Sequence, residues 1–156
     1  MFKRAYLIIG GITIITVLVS CREIFSNHSL GSNFSLMEGD KIEDRIIVYC
    51  AGKEENECNG GTFMIPRYKD HMINGKYAEY VETAKSNNIW IIAKTFQMYA
   101  KLEKYWIINK NFNIANLNCD KINCDSIIQS QVIGPLNIDE FQEKSKNLKI
   151  NLSLTN

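Results

Sequence analysis

Cysteine is the residue type whose number and spacing most invite chemistry in this sequence. Four of them, Cys50, Cys58, Cys119 and Cys124, lie in the body of the chain. Sulfur can close disulfides, hold zinc as thiolate, or exchange electrons as a redox pair. Zinc and redox motifs usually separate their cysteines by two residues, and none of these four stands at that spacing. An even set in an oxidising compartment reads instead as two disulfides, for which three pairings are possible. Other constellations are weaker. His71 has no nucleophile elbow, metal pair or phosphate loop beside it, and Gly60-Gly61 reads as a hairpin feature. Glu54, Glu55 and Glu57 read as a solvated loop, since a glycosidase pair needs carboxylates held about 5–9 Å apart across a cleft. The sequence therefore calls for no metal and no cofactor, and it supplies no catalytic set.

The compartment is indicated by the start of the chain. Lys3-Arg4 precede an apolar run from Ala5 to Val19, shorter than the span of about 20 residues a transmembrane helix needs. The run closes on Leu18-Val19-Ser20-Cys21, which resembles a lipobox, the motif of bacterial lipoproteins. The resemblance implies that residues 1–20 are a signal peptide and that Cys21 is acylated and becomes the mature N-terminus. Two or three acyl chains, at about 0.8 kcal/mol per buried methylene, would anchor the protein firmly. Arg22 stands where inner-membrane retention often uses an acid, which points to the outer membrane, facing the periplasm.

About 135 residues then remain, enough for one domain. The full chain has 18 Lys+Arg and 17 Asp+Glu, and the loss of Lys3 and Arg4 brings the balance to −1. Such a surface argues against nucleic acid as a partner and offers no polybasic patch for lipid headgroups. Residues 21–33 lack either hydrophobic period and read as a tether, reaching some 20 Å at about 5–6 Å times the square root of its length. His28 lies in this stretch and reads as solvated.

Residues 34–156 read as one α+β domain. Arg45 to Cys50 and Gly61 to Ile65 are rich in β-branched and aromatic residues and form a hairpin around a polar loop. That hairpin favours local pairing, Cys50 with Cys58 and, by the same closeness, Cys119 with Cys124. Tyr77 to Lys85 and Ile89 to Phe96 are further strands, turning at Ser86-Asn87-Asn88 where asparagine tolerates left-handed backbone. Ile89-Trp90-Ile91-Ile92-Ala93 is apolar on both parities, as expected of a central strand covered on both faces, and Tyr105-Trp106-Ile107-Ile108-Asn109 repeats that character. After a turn at Gly134-Pro135, Asn137 and Glu140 form a capping box, with Leu136 and Phe141 as its hydrophobic staple. The helix that follows presents Ile138, Phe141 and Leu148 on one face. The expected architecture is an antiparallel sheet of about five strands with this C-terminal amphipathic helix on one face.

The runs from Ile89 to Lys94 and from Tyr105 to Asn109, with Gly134-Pro135-Leu136 and Glu140-Phe141, resemble an uncharacterised family of small bacterial lipoproteins described as domain of unknown function 3997. The likeness covers roughly the last two-thirds of the mature chain. In that family a short turn leads from the Tyr-Trp strand to Gly-Pro-Leu; here Lys110 to Ile133, with Cys119 and Cys124, intervene. The resemblance implies a fold and a location, and no activity.

The function expected is a non-catalytic binding module of the cell envelope, of inhibitor or immunity type, held to the membrane by its lipid and engaging another envelope protein. An enzyme with a site assembled from scattered acids, or a structural factor, stands as the alternative. The connection from Pro66 to Tyr77 carries Arg67, Tyr68 and Met72, types enriched at protein interfaces, and is the expected partner surface.

Overall fold

The structure, a computed structural model, describes residues 26–54 and 57–154. The lipobox and Cys21 lie outside the described residues. In chain order the elements are β1 (Ser26–Gly31), β2 (Phe34–Glu38), a 3-10 turn (Ile42–Asp44), β3 (Ile46–Cys50), β4 (Lys53–Glu54), β5 (Glu57–Cys58) and β6 (Gly61–Ile65). Then follow α1 (Tyr68–His71), β7 (Met72–Ile73), β8 (Lys76–Tyr77), β9 (Glu79–Ser86), β10 (Trp90–Gln97), β11 (Leu102–Asn109), α2 (Cys124–Gln129), β12 (Val132–Leu136) and α3 (Ile138–Asn147).

The strands form two antiparallel four-stranded sheets, ordered β1-β2-β3-β6 and β12-β11-β10-β9, with β4-β5 and β7-β8 as small ribbons. Mixed α and β content is as expected, but the single five-stranded sheet is corrected to two. Three strands account for the difference, β2 at Phe34–Glu38, which was not read as a strand, and two stretches read otherwise. Ser26 to Gly31, read as tether because Ser, Asn and Gly hide its pattern, pairs along β2, so His28 sits in a strand opposite Leu36. Gly134-Pro135, read as a turn, lies inside β12, which pairs with β11. Proline suits this edge position because its missing N–H faces no further strand. Gly134 has φ +140°, and a Cβ there would meet Trp106 Cε3 at 2.6 Å.

Alternation explains the packing. Phe34, Leu36, Ile47 and Ile65 from the first sheet meet Val81, Ile91, Ala93, Trp106 and Ile108 from the second in one cluster, so the inner faces share a core. The opposite parity of β10 and β11, Ile92 and Ile107, packs under Phe141 of α3. Leu148, Ile150, Leu152 and Leu154 after the helix extend that cover. The central strands are thus covered on both faces, as their sequence demanded. On the first sheet's outer side, Ile46, Val48, Cys50 and Cys58 form a smaller cluster with Met37 and Phe63.

The helix cap is as read: Asn137 Oδ1 accepts from Glu140 N at 3.0 Å, and Asn137 N donates to Glu140 Oε2 at 2.9 Å. Ile138, however, is exposed, and Phe141 alone among the helix residues is buried. The Ser86-Asn87-Asn88 turn forms by another device than expected. Asn87 Oδ1 accepts from Ile89 N and Trp90 N at 2.9 and 2.8 Å, so its side chain supplies the turn in place of left-handed backbone.

Candidate functional site

The segment expected as a plain connection from Pro66 to Tyr77 has structure of its own, α1 followed by the β7-β8 ribbon. His71 holds it down. Its side chain is buried, Nδ1 donates to the Glu79 carbonyl at 2.9 Å, and its own carbonyl accepts from Ala78 N at 2.8 Å. The ring lies 5.3 Å from Tyr77 and 6.3 Å from Phe63. His71 is therefore a core histidine.

The three side chains expected to form one partner surface have different neighbours. Tyr68 is 75% exposed and sets its ring edge-on to Phe63 at 5.3 Å. Met72 is exposed on the ribbon, paired across from Tyr77. Arg67 instead lines a cleft of about 310 Å³ with Lys69, Asp70, Glu79, Lys104 and Trp106.

Two residues absent from the sequence reading join this end of the molecule. Met98 and Tyr99 occupy the turn between β10 and β11, both exposed, and Met98 N donates to the Ala78 carbonyl at 2.8 Å. Tyr99 lines one shallow depression with Ile73, Asn74 and Lys76 and a second with Tyr77 and Met98. Ile73, Met98 and Tyr99 thus expose neighbouring apolar surface. The signal was local, a Met-Tyr pair within a strand turn, but only the fold brings that turn beside Ile73.

The cleft beside Arg67 is polar, and a hydrogen-bond network forms one of its walls. Glu79, 2% exposed, accepts from Thr95 Oγ1 at 2.7 Å through Oε1 and from Lys104 Nζ at 2.6 Å through Oε2. Trp106 Nε1 donates to Thr95 Oγ1 at 2.9 Å and extends the chain of bonds. A register shift between β9 and β10 creates this arrangement. Ala93 pairs with Ala84 but Thr95 with Val81, so one extra β9 residue resets the alternation. Val81 and Glu79 consequently turn inward. A carboxylate engaged by a hydroxyl and an ammonium orders three strands, and this committed state is structural chemistry.

On the outer face of the same strands, Lys94 Nζ lies 2.8 Å from Glu82 Oε2 and 3.1 Å from Glu103 Oε1. The bond to Glu82 holds the Lys94 ammonium above its ordinary value. Glu103 is held low, first by the Tyr105 hydroxyl at 2.8 Å and then by Lys94.

The cysteines pair locally. Cys50 joins Cys58 and Cys119 joins Cys124, with Cα atoms 5.5 and 5.4 Å apart. The first closes the loop of the β3-β6 hairpin and the second staples the chain before α2 to the start of that helix. Among the described residues, no group of three or more His, Cys, Asp or Glu could hold a metal ion. No helix among them is long and apolar enough to cross a membrane. Compared with known proteins, the chain matches no family model, no curated protein and no solved structure.

Proposed function

We propose that the protein is a lipid-anchored binding module of the cell envelope, tethered through Cys21 on the periplasmic side, that captures another envelope protein. The observation supporting capture is the exposed apolar end built from Ile73, Met98 and Tyr99. Aromatic and methionine side chains of this kind are enriched at interface centres, where truncation of one residue can cost 2 kcal/mol or more, by about that scale. His71 and the Met98–Ala78 bond fix the two turns that carry them, so the surface is presented with little ordering left to do on binding. The near-neutral surface supports a protein partner over nucleic acid.

The test uses the full chain in its native envelope with a photo-crosslinking residue at Tyr99, and the same residue at Glu143 on the exposed side of α3 as control. One discrete adduct from position 99, absent from position 143 and lost in the Met98→Ala and Ile73→Ala variants, is expected. Equal labelling from both positions would remove this end as a partner surface. The anchor is checked separately: Cys21→Ala should abolish incorporation of labelled palmitate, and unchanged incorporation would end the lipoprotein reading.

A further inference from the structure

Beyond β11 the chain folds back over the rim of the two sheets and encloses a cavity of about 660 Å³, whose walls include Tyr49, Phe112, Ile114 and Ile128. Within its lining is one lysine. Lys110 is 7% exposed, its backbone N–H is held by the Ile89 carbonyl at 2.7 Å, and its ammonium donates to the Leu30 carbonyl at 2.7 Å. Among the described residues it forms no ion pair. The nearby wall carboxylate, Asp125, accepts instead from Thr62 Oγ1 at 2.5 Å. Lys104 and Lys94, both only partly buried, are by contrast matched by carboxylates.

A carbonyl dipole compensates a buried ammonium only in part, and the remaining field points to a missing anion. The rest of the lining specifies what the anion carries. Tyr49 and Phe112 stand 5.7 Å apart at a tilt of 41°, with Phe34 edge-on to both at 5.1 and 6.0 Å. Aromatic walls with a few placed polar groups, here Lys110 and the Asp125 carboxylate bonded to Thr62, are the usual composition of a small-molecule site, and the volume falls in the range of about 300–1,000 Å³ such sites occupy. Asn113, Ala115 and Leu117 are exposed and form the rim.

We propose that this cavity binds a small aryl carboxylate, its carboxylate serving as counter-ion to Lys110 and its ring lying against Tyr49 and Phe112. Burial holds the Lys110 amine below the ordinary lysine range. Both disulfides contribute to the walls through Cys50, Cys119 and Cys124, the first fixing the β3-β6 side and the second the end of the loop after β11. The site shares no residue with the proposed capture surface, and either can fail without the other.

The experiment titrates the full chain with naphthoate and with its uncharged counterpart naphthamide, following backbone amide signals by NMR. Expected is saturable binding of naphthoate that moves the Lys110 and Phe112 signals, with an affinity about tenfold or more above that of naphthamide. Lys110→Met should erase this preference while keeping the weak binding of the amide. Ala115→Trp, which changes only the exposed rim, should block both compounds and answers the question if Lys110→Met does not fold. Absence of saturable binding, an equal affinity for acid and amide in the wild type, or naphthoate binding undiminished by either variant would overturn the proposal.

Discussion

Lys104 Nζ stands 2.6 Å from Oε2 of Glu79, a carboxylate carried by a side chain that is 2% exposed. The pair joins β9 to β11 across β10, with Thr95 between them on the other oxygen. It exists because the extra residue in β9 turns Glu79 inward. Had alternation continued unbroken, Glu79 would face the opposite side and Lys104 would have no carboxylate there.

Breaking that pair from one side should be costly. Lys104→Met leaves a buried carboxylate without its counter-ion, a change that typically costs about 3–5 kcal/mol. Adding Glu79→Gln to Lys104→Met should restore part of the loss, because the charge itself is gone. Urea unfolding of the wild type, both single variants and the double variant measures the coupling. Additive losses would mean that the two side chains do not act as a pair.

The α3 cap gives a smaller and cleaner number. Asn137→Ala removes the acceptor of the Glu140 amide and should lower stability by about 1 kcal/mol. Asn137→Ser, which retains an acceptor, should recover most of it. A denaturation midpoint unchanged by the alanine variant would contradict the cap.

Each disulfide closes a short loop, with 8 and 5 residues of sequence separation. On the chain-entropy account, removing either by paired Cys→Ser substitution should cost about 2–3 kcal/mol. Non-reducing peptide mapping should link Cys50 to Cys58 and Cys119 to Cys124. Free thiols at these four positions, or a cross-linked pairing, would rule the assignment out.

Lys110 predicts a stability change on the alkaline side. Its folded-state pKa lies below the unfolded value, so between the two the unfolded chain binds more protons and stability rises with pH. The Leu30 carbonyl accepts from its ammonium, and Tyr49 and Asp125 line the same cavity. Tyr77, raised by its bond to Asp44, and Tyr80 and Tyr105, raised by burial, act with the opposite sign. They cancel in the difference between wild type and Lys110→Met. The stability of the wild type relative to Lys110→Met should therefore rise as pH climbs toward the ordinary lysine value; a difference constant across the range would mean that Lys110 is not the titrating group.

Strands such as Ile89 to Ala93, the capping box at Asn137 and Glu140, and the local pairing of neighbouring cysteines were all legible in the sequence. Each depends on side chains a few residues apart, where period, cap chemistry and loop length act directly. The first two strands were not legible, because Ser26 to Gly31 acquires its strand conformation by pairing with β2 and carries little apolar pattern of its own. Neither was the assignment of strands to two sheets, which depends on which inner faces bury one another. Tyr68 and Met72 could be picked out by residue type, but the cleft that takes Arg67 and the neighbourhood of Ile73 with Met98 and Tyr99 could not. The register shift that buries Glu79 and the long reach of Lys110 to Leu30 belong wholly to tertiary structure. A one-residue slip reverses side-chain direction, and a charge 80 positions away becomes a neighbour only after the sheets have packed.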